Sequence, residues 1–216
     1  MSESTIDTSG PSTQIRAVLF DADGVLQRTR PGFLQALGRL CGDPANAEAF
    51  VKDVFKAETP CLVGQGDFVD SLARVLEKWQ SPTSVDDALQ IWSMIDPDPT
   101  AFDLIRSLQN KGTIVALATN QQAYRANLML KELGYENEFD HLLCSCFIGH
   151  AKPSEAYFAQ AVHQLDITAH EMLFIDDHDA NVEAATAAGL RANQYHLDQG
   201  PDVLRDILAQ HGLTLD

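Results

Sequence analysis

Basic side chains are scarce: 15 Lys and Arg stand against 31 Asp and Glu, for a formal charge of −16. A nucleic-acid backbone or an anionic membrane surface is held by clustered Lys and Arg, so neither is an expected partner. Long hydrophobic runs are missing as well. AVLF at 17–20 and IVALA at 114–118 are among the longest, far short of the ~20 residues that a membrane span needs. The opening MSESTIDTSGPSTQ, residues 1–14, has neither the basic start nor the apolar middle of a signal peptide. It reads as a mobile polar leader of a cytoplasmic protein. Only four cysteines occur. Cys41 and Cys61 stand alone, and Cys144 and Cys146 form a C-x-C without the second pair that a zinc site requires, so buried reduced thiols are expected.

What is present suits a globular protein of 216 residues, 45% hydrophobic, with one substantial core and room for a smaller attachment. Strand-like runs recur at IRAVLF (15–20), TIVALAT (113–119), LLCS (142–145), MLFID (172–176) and RANQY (191–195). Helical patterns lie between the later runs: AFDLIRSLQNKG (101–112), YRANLMLKELG (124–134) and SEAYFAQAVHQL (154–165). This alternation predicts an α/β fold with a doubly wound parallel sheet. From Asp23 to the run at 113 no convincing β pattern occurs, a gap far too long for a loop. FLQALGRLCG, AEAFVKDVFKAE, DFVDSLARVLEKW and SVDDALQIWSMI instead read as four amphipathic helices. The expected organisation is therefore a leader (1–14), an α/β core (15–27 and 98–216) and a helical cap (28–97), with DPDP at 96–99 an extended way back.

Ligands of open α/β sheets bind beyond the carboxyl ends of the strands. Asp21, Asp23, Thr119, Asn120, Asp176 and Asp177 all fall at predicted strand ends, and Lys152 lies in the loop after the third core strand. Four carboxylates in one pocket need a compensating cation. Hard oxygen ligands with no His or Cys at supporting spacing point to Mg²⁺, which commonly leaves coordination positions for water and phosphate. A phosphate in turn accounts for Thr119, Asn120 and Lys152 as donors to its oxygens. Asp21, at the strand tip, is placed as a nucleophile forming an acyl phosphate, and Asp23, two residues on, as the proton donor and acceptor. Asp176 is expected to contact Mg²⁺ directly and Asp177 to support it from behind.

These residues resemble the motif set of the haloacid dehalogenase-like superfamily: D-x-D-G at Asp21–Gly24, a strand-ending Thr at Thr119, Lys beside Pro at Lys152-Pro153, and an acidic pair at Asp176-Asp177. The resemblance implies a Rossmann-like core with a small helical cap after the first motif. It also implies a nucleophilic first Asp, an acid/base second Asp, and Mg²⁺ held by Asp21, the backbone carbonyl of Asp23 and the acidic pair. Asp23 speaks against dehalogenation, since the namesake dehalogenases lack it. The leading expectation is a Mg²⁺-dependent phosphatase of a small soluble phosphorylated metabolite, a sugar phosphate being one candidate. A sugar phosphomutase and a receiver-like phospho-switch are the alternatives, although receivers carry the acidic pair on their first strand.

Outside the motifs the residues are less telling. Arg28, Arg30 and Gln65 are candidate substrate contacts from the cap side, because an anionic ligand of an acidic protein needs local cations or donors. Asn181, one turn past the acidic pair, is open between supporting the metal group and lying on a helix surface. His178, His150 and Arg125 read as solvated.

Overall fold

The computed structural model describes residues 14–214, so the leader expected over 1–14 lies, apart from Gln14, outside the described residues. Five parallel strands form the main sheet: β1 (Ala17–Phe20), β4 (Ile114–Thr119), β5 (His141–Cys144), β6 (Met172–Asp176) and β7 (Arg191–Gln194), in the order β5-β4-β1-β6-β7. Successive side chains of a strand point to opposite faces, and here both faces are covered. Val18, Phe20, Val115, Leu117, Leu173 and Ile175 share one core with the apolar sides of α5 (Pro99–Asn110) and α10 (Pro201–Gln210). Ala17, Leu19, Ala116, Ala118, Met172 and Phe174 meet α8 (Glu155–Leu165) and α9 (Asp179–Ala187) on the other. Near-continuous apolar runs are what a sheet buried on both sides demands.

Between β1 and β4 the chain forms α1 (Phe33–Arg39), α2 (Ala47–Glu58), α3 (Phe68–Lys78) and α4 (Val85–Leu89), the last running into a 3₁₀ turn over Gln90–Ser93. Leu37, Phe50, Val54, Leu72, Leu76 and Trp92 build a core of their own there. Two strands escaped the sequence reading. β2 (Gln27–Thr29) and β3 (Ile95–Pro97) pair antiparallel, Arg28 opposite Asp96, as a ribbon at the two points where the helices join the sheet. QRT and IDP are too short and too polar to show a period, and their pairing spans the whole insertion. DPDP is thus half strand and half helix start: Asp98 caps α5 by accepting from the N–H groups of Thr100 and Ala101, with Pro99 in the first turn. The helix expected over 124–134 is likewise divided. It runs as α6 (Ala123–Asn127) and then as a π-helical turn over Leu128–Glu132, where three consecutive residues, Leu128, Met129 and Leu130, are all buried.

No helix of the described residues is long and apolar enough to cross a membrane. Phe158 on α8 is fully buried and meets Phe174 edge-on, with ring centroids 5.3 Å apart. Phe158→Ala is expected to destabilise the protein by about 3–5 kcal/mol through lost burial and a residual cavity. Urea unfolding checks this, and a loss under about 1 kcal/mol contradicts the packing described.

Candidate active site

β1 lies where the strand order reverses, with β4 on one side and β6 on the other. A crevice opens beyond the carboxyl ends at such a point. Asp21 is still tied to the sheet, its N–H donating to the Ile175 carbonyl at 2.9 Å. The chain then folds back sharply: the Ala22 carbonyl accepts from the N–H groups of Leu26 and Gln27 at 2.8 and 3.0 Å, and Gly24 adopts φ 81°. Thr119 ends β4, Asp176 ends β6, and Lys152 arrives from the loop beyond α7 (Ser145–Ile148). Asp21, Asp23, Thr119, Asn120, Lys152, Asp177 and Asn181 all line one cavity of about 490 Å³, and Asp176 lies fully buried beneath it.

Lys152 sits at its centre. The ammonium donates to Asp21 Oδ1 at 2.8 Å, to Asp176 Oδ2 at 2.6 Å and to the Ala118 carbonyl at 2.7 Å, which uses all three of its protons. Burial works to strip the charge, but the two carboxylates outweigh it and hold the lysine above its usual pKa. Asp21 goes the other way. Burial, aided by the charge of Asp176 and opposed by Lys152, pushes its pKa up to about 6.

Asp176 is fully buried and richly bonded, accepting from the His178 N–H at 2.8 Å and from the Asn181 amide at 3.0 and 3.1 Å. Asp177, expected behind it, offers an oxygen to the same group: one oxygen each from Asp21, Asp176 and Asp177 lie within 4.8 Å of one another. The backbone turns at this point, so that the two neighbouring carboxyls need not point apart. Burial raises the Asp177 pKa against the pull of His178, and its Oδ1 is buried with no hydrogen-bond partner. A buried oxygen lacking a donor, beside two further carboxylates, suits a hard divalent cation such as Mg²⁺.

Asp23 departs from the sequence reading in its partners. Arg125, expected on a solvated helix face, is buried and clasps the carboxylate with both guanidinium ends, Nη1 to Oδ2 at 2.5 Å and Nη2 to Oδ1 at 2.7 Å. Gln27 adds a donor to Oδ1 at 2.9 Å and Gln121 one to Oδ2 at 2.8 Å. Burial would raise the pKa of Asp23, but the Arg125 contact and these amides override it and hold the carboxyl below its usual value. Gln27 is itself anchored, accepting from the Tyr135 hydroxyl at 2.7 Å.

The remaining candidates divide. Thr119 is buried at its strand end, its hydroxyl 3.4 Å from the Gln121 amide. Asn120, expected as a phosphate donor, has its side chain engaged with the lysine loop: it donates to the Lys152 carbonyl at 2.8 Å and accepts from the Lys152 N–H at 2.9 Å. Arg28 lines the cavity but is held by Asp98 at 3.2 Å and Asp198 at 3.3 Å. Arg30, whose N–H continues the ribbon to the Met94 carbonyl, lines a separate hollow with Phe33 and Leu34. Gln65 is exposed and does not line the cavity, because its loop turns at Gly64 against the Cys146 carbonyl. His178 and His196 do line it, His178 as an exposed side chain at the mouth. Arg125 reads as a solvated residue in the sequence, and nothing in the local sequence marks Gln27, Gln121 or His196.

A family model described as haloacid dehalogenase-like hydrolase matches residues 15–189. The N-acetylmuramic acid 6-phosphate phosphatase of Pseudomonas aeruginosa is 27% identical over 189 residues, a stretch covering 82% of this chain and 80% of that protein. A phosphorylated carbohydrates phosphatase of Thermotoga maritima is 24% identical over 182 residues, 82% of each chain. Among solved structures, a HAD family enzyme of Bacteroides thetaiotaomicron superposes with a TM-score of 0.77 at 19% identity, covering 88% of this chain and 98% of that one. The same enzyme has been solved in complex with magnesium and inorganic phosphate.

Gly24 is where the site leaves least room. A Cβ there would stand 2.6 Å from Asp177 Oδ2, on a backbone already at φ 81°. Gly24→Ala is expected to destabilise the fold by at least about 1–2 kcal/mol from the left-handed backbone alone, and to displace the Asp177 carboxyl. Thermal unfolding of Gly24→Ala checks this, with an unchanged midpoint as the contrary result.

Proposed function

Since the chain belongs to the haloacid dehalogenase-like hydrolases and is a phosphatase of that family, we propose that it hydrolyses a small phosphorylated metabolite of the sugar-phosphate kind through an aspartyl-phosphate on Asp21, with Mg²⁺ bound. The observation that carries this reading is the grouping of Asp21, Asp176 and Asp177 around one point with Lys152 beside them. That two curated relatives are named as phosphatases of an amino-sugar phosphate and of phosphorylated carbohydrates supports the substrate class.

Asp21 begins the reaction. Its carboxylate attacks phosphorus as the bond to the ester oxygen breaks, and the departing oxygen takes a proton from Asp23, which must first pick one up from solvent because Arg125 and the amides hold it as the carboxylate. Water then attacks the phosphoryl group, gives its proton to Asp23, and leaves as phosphate with Asp21 restored. Lys152 holds Asp21 and Asp176 in place and sets positive charge beside the phosphoryl oxygens, while the Thr119 hydroxyl offers them a donor. Asp21, Asp176 and Asp177 would hold Mg²⁺, with Asn181 steadying Asp176. Bound there, Mg²⁺ neutralises the charge of carboxylates and phosphate together. Arg28, His178 and His196 at the mouth face the remainder of the substrate.

Phosphate release from 4-nitrophenyl phosphate is expected with Mg²⁺ and not with chelator. Asp21→Asn should lower kcat by at least about 10³-fold, since the nucleophile is gone. Turnover by Asp21→Asn near the parent rate contradicts the assignment. A second measurement follows from Asp21 itself. Its pKa is raised to about 6 in the metal-free protein, so below that pH a proton occupies the carboxyl that Mg²⁺ needs, and above it the carboxylate is bare. Thermal stabilisation by a fixed Mg²⁺ concentration should therefore be large near about pH 7.5 and shrink as pH falls through about 6. A shift that does not change across this range speaks against Asp21 as a ligand.

A further inference from the structure

Four of the residues lining the cavity take no part in the bond-breaking steps: Arg28 and Thr29, from β2, and His196 and Asp198, from the loop after β7. Among the described residues, none from the four helices of the insertion lines it. The loop after β7 is fixed to the site at two points. The Tyr195 N–H donates to the Asp176 carbonyl at 3.0 Å and the Leu197 N–H to the Gly24 carbonyl at 2.8 Å, and the Leu197 side chain is buried in the sheet core. A 3₁₀ turn over Leu197–Gln199 follows, closed by His196: its N–H donates to Gln199 Oε1 at 2.7 Å, and its ring Nδ1 accepts from the Asp198 N–H at 3.1 Å. Side chains mounted on a backbone tied to Gly24 and Asp176 are in position before a substrate arrives.

The turn fixes what each side chain can offer. A ring that accepts at Nδ1 is the neutral tautomer with its proton on Nε2, so His196 has one donor, Nε2–H, for a ligand in the cavity that it lines. Asp198 supplies an acceptor. Its Oδ1 takes the Arg28 guanidinium at 3.3 Å, while Oδ2 stands 3.5 Å from His196 Nδ1, a nitrogen whose lone pair is already taken, and the side chain is 74% exposed. Arg28 is divided between Asp198 at 3.3 Å and Asp98 at 3.2 Å. One positive charge therefore faces two negative ones, and the rim keeps an unmatched negative charge. A donor beside a carboxylate matches a hydroxyl, which both gives and takes a hydrogen bond. The surplus charge repels a second acidic group on the ligand.

We propose that His196 and Asp198 are specificity residues that take a hydroxyl on the part of the ester remote from phosphorus and turn away a carboxylate there, so that the substrate is a hydroxyl-bearing ester with no charge beyond its phosphate. This inference rests on the phosphatase reading of the same cavity and names what the departing alcohol carries.

Two pairs of esters test it, each pair identical except that a terminal hydroxymethyl is replaced by a carboxylate: glycerol 3-phosphate with 3-phosphoglycerate, and glucitol 6-phosphate with 6-phosphogluconate. With Mg²⁺ present and phosphate release as the readout, kcat/KM should favour the hydroxyl-ended member by about ten-fold or more in at least one pair. Asp198→Asn keeps an oxygen for Arg28 and removes the charge, and should shrink that preference about three-fold or more by raising kcat/KM for the acid-ended ester; Arg28→Gln removes the cation, leaves both acids and should widen it. His196→Asn, whose side-chain oxygen can still cap the turn, withdraws the ring donor and should raise KM for the hydroxyl-ended ester about five-fold, more than it lowers kcat. Equal turnover within both pairs, no turnover of either hydroxyl-ended ester, a preference that Asp198→Asn and Arg28→Gln leave unchanged, or an unchanged KM in His196→Asn overturns the proposal. The phosphatase reading is judged apart, on 4-nitrophenyl phosphate. Phosphate release there without discrimination in the pairs removes this inference alone, and no release there removes both.

Discussion

Two carboxylates, Asp21 and Asp176, lie buried at the base of the crevice, and the Lys152 ammonium between them is what holds them together. Its three contacts at 2.6–2.8 Å reach the carboxylates that end β1 and β6 and a backbone carbonyl near the end of β4, so the knot is also a clasp on three strand ends. Removing one partner of a buried pair typically costs about 3–5 kcal/mol because the survivor is left charged and unpaired. The rest of the crevice is arranged around this knot. Asn120 grips the lysine loop by its backbone, and Asn181 and the His178 N–H fasten Asp176 from the other side.

The knot leaves two charges unanswered. Asp21, Asp176 and Asp177 carry three negative charges against the single positive charge of Lys152; burial first, and the charge of Asp176 after it, raises the pKa values of Asp21 and Asp177, and one Asp177 oxygen has no donor. Arg125 answers the fourth acid, Asp23, and not these. Gly24 belongs to the same economy of space: without a Cβ it lets the Asp177 carboxyl come as near to the D-x-D-G turn as it does. The motif's glycine is thus explained by its neighbour across the cavity as much as by its own φ.

The fold was legible in the chain because a sheet buried on both faces writes itself as short apolar runs, and IRAVLF, TIVALAT and MLFID read as strands without ambiguity. The residues at their ends were legible for the same reason, since the strand-end rule needs only the order of the strands. What escaped depends on contacts between distant segments. Arg125 lies 102 residues from Asp23, and Gln121 lies 98 from it, so no local spacing announces either. The β2–β3 ribbon closes across the whole insertion, with too few residues in each strand to show a period. Arg30 and Gln65 failed differently: each was chosen for its chemistry in a segment whose direction could not be derived, and the backbone carries both away from the cavity.

The account stands or falls on whether the crevice built around Lys152 is where a phosphoryl group is taken up. A crystal structure with Mg²⁺ and vanadate measures this directly. The account predicts vanadium within bonding distance of an Asp21 oxygen, with the metal among Asp21, Asp176 and Asp177. Vanadate bound elsewhere, or a metal that avoids those three carboxylates, contradicts it.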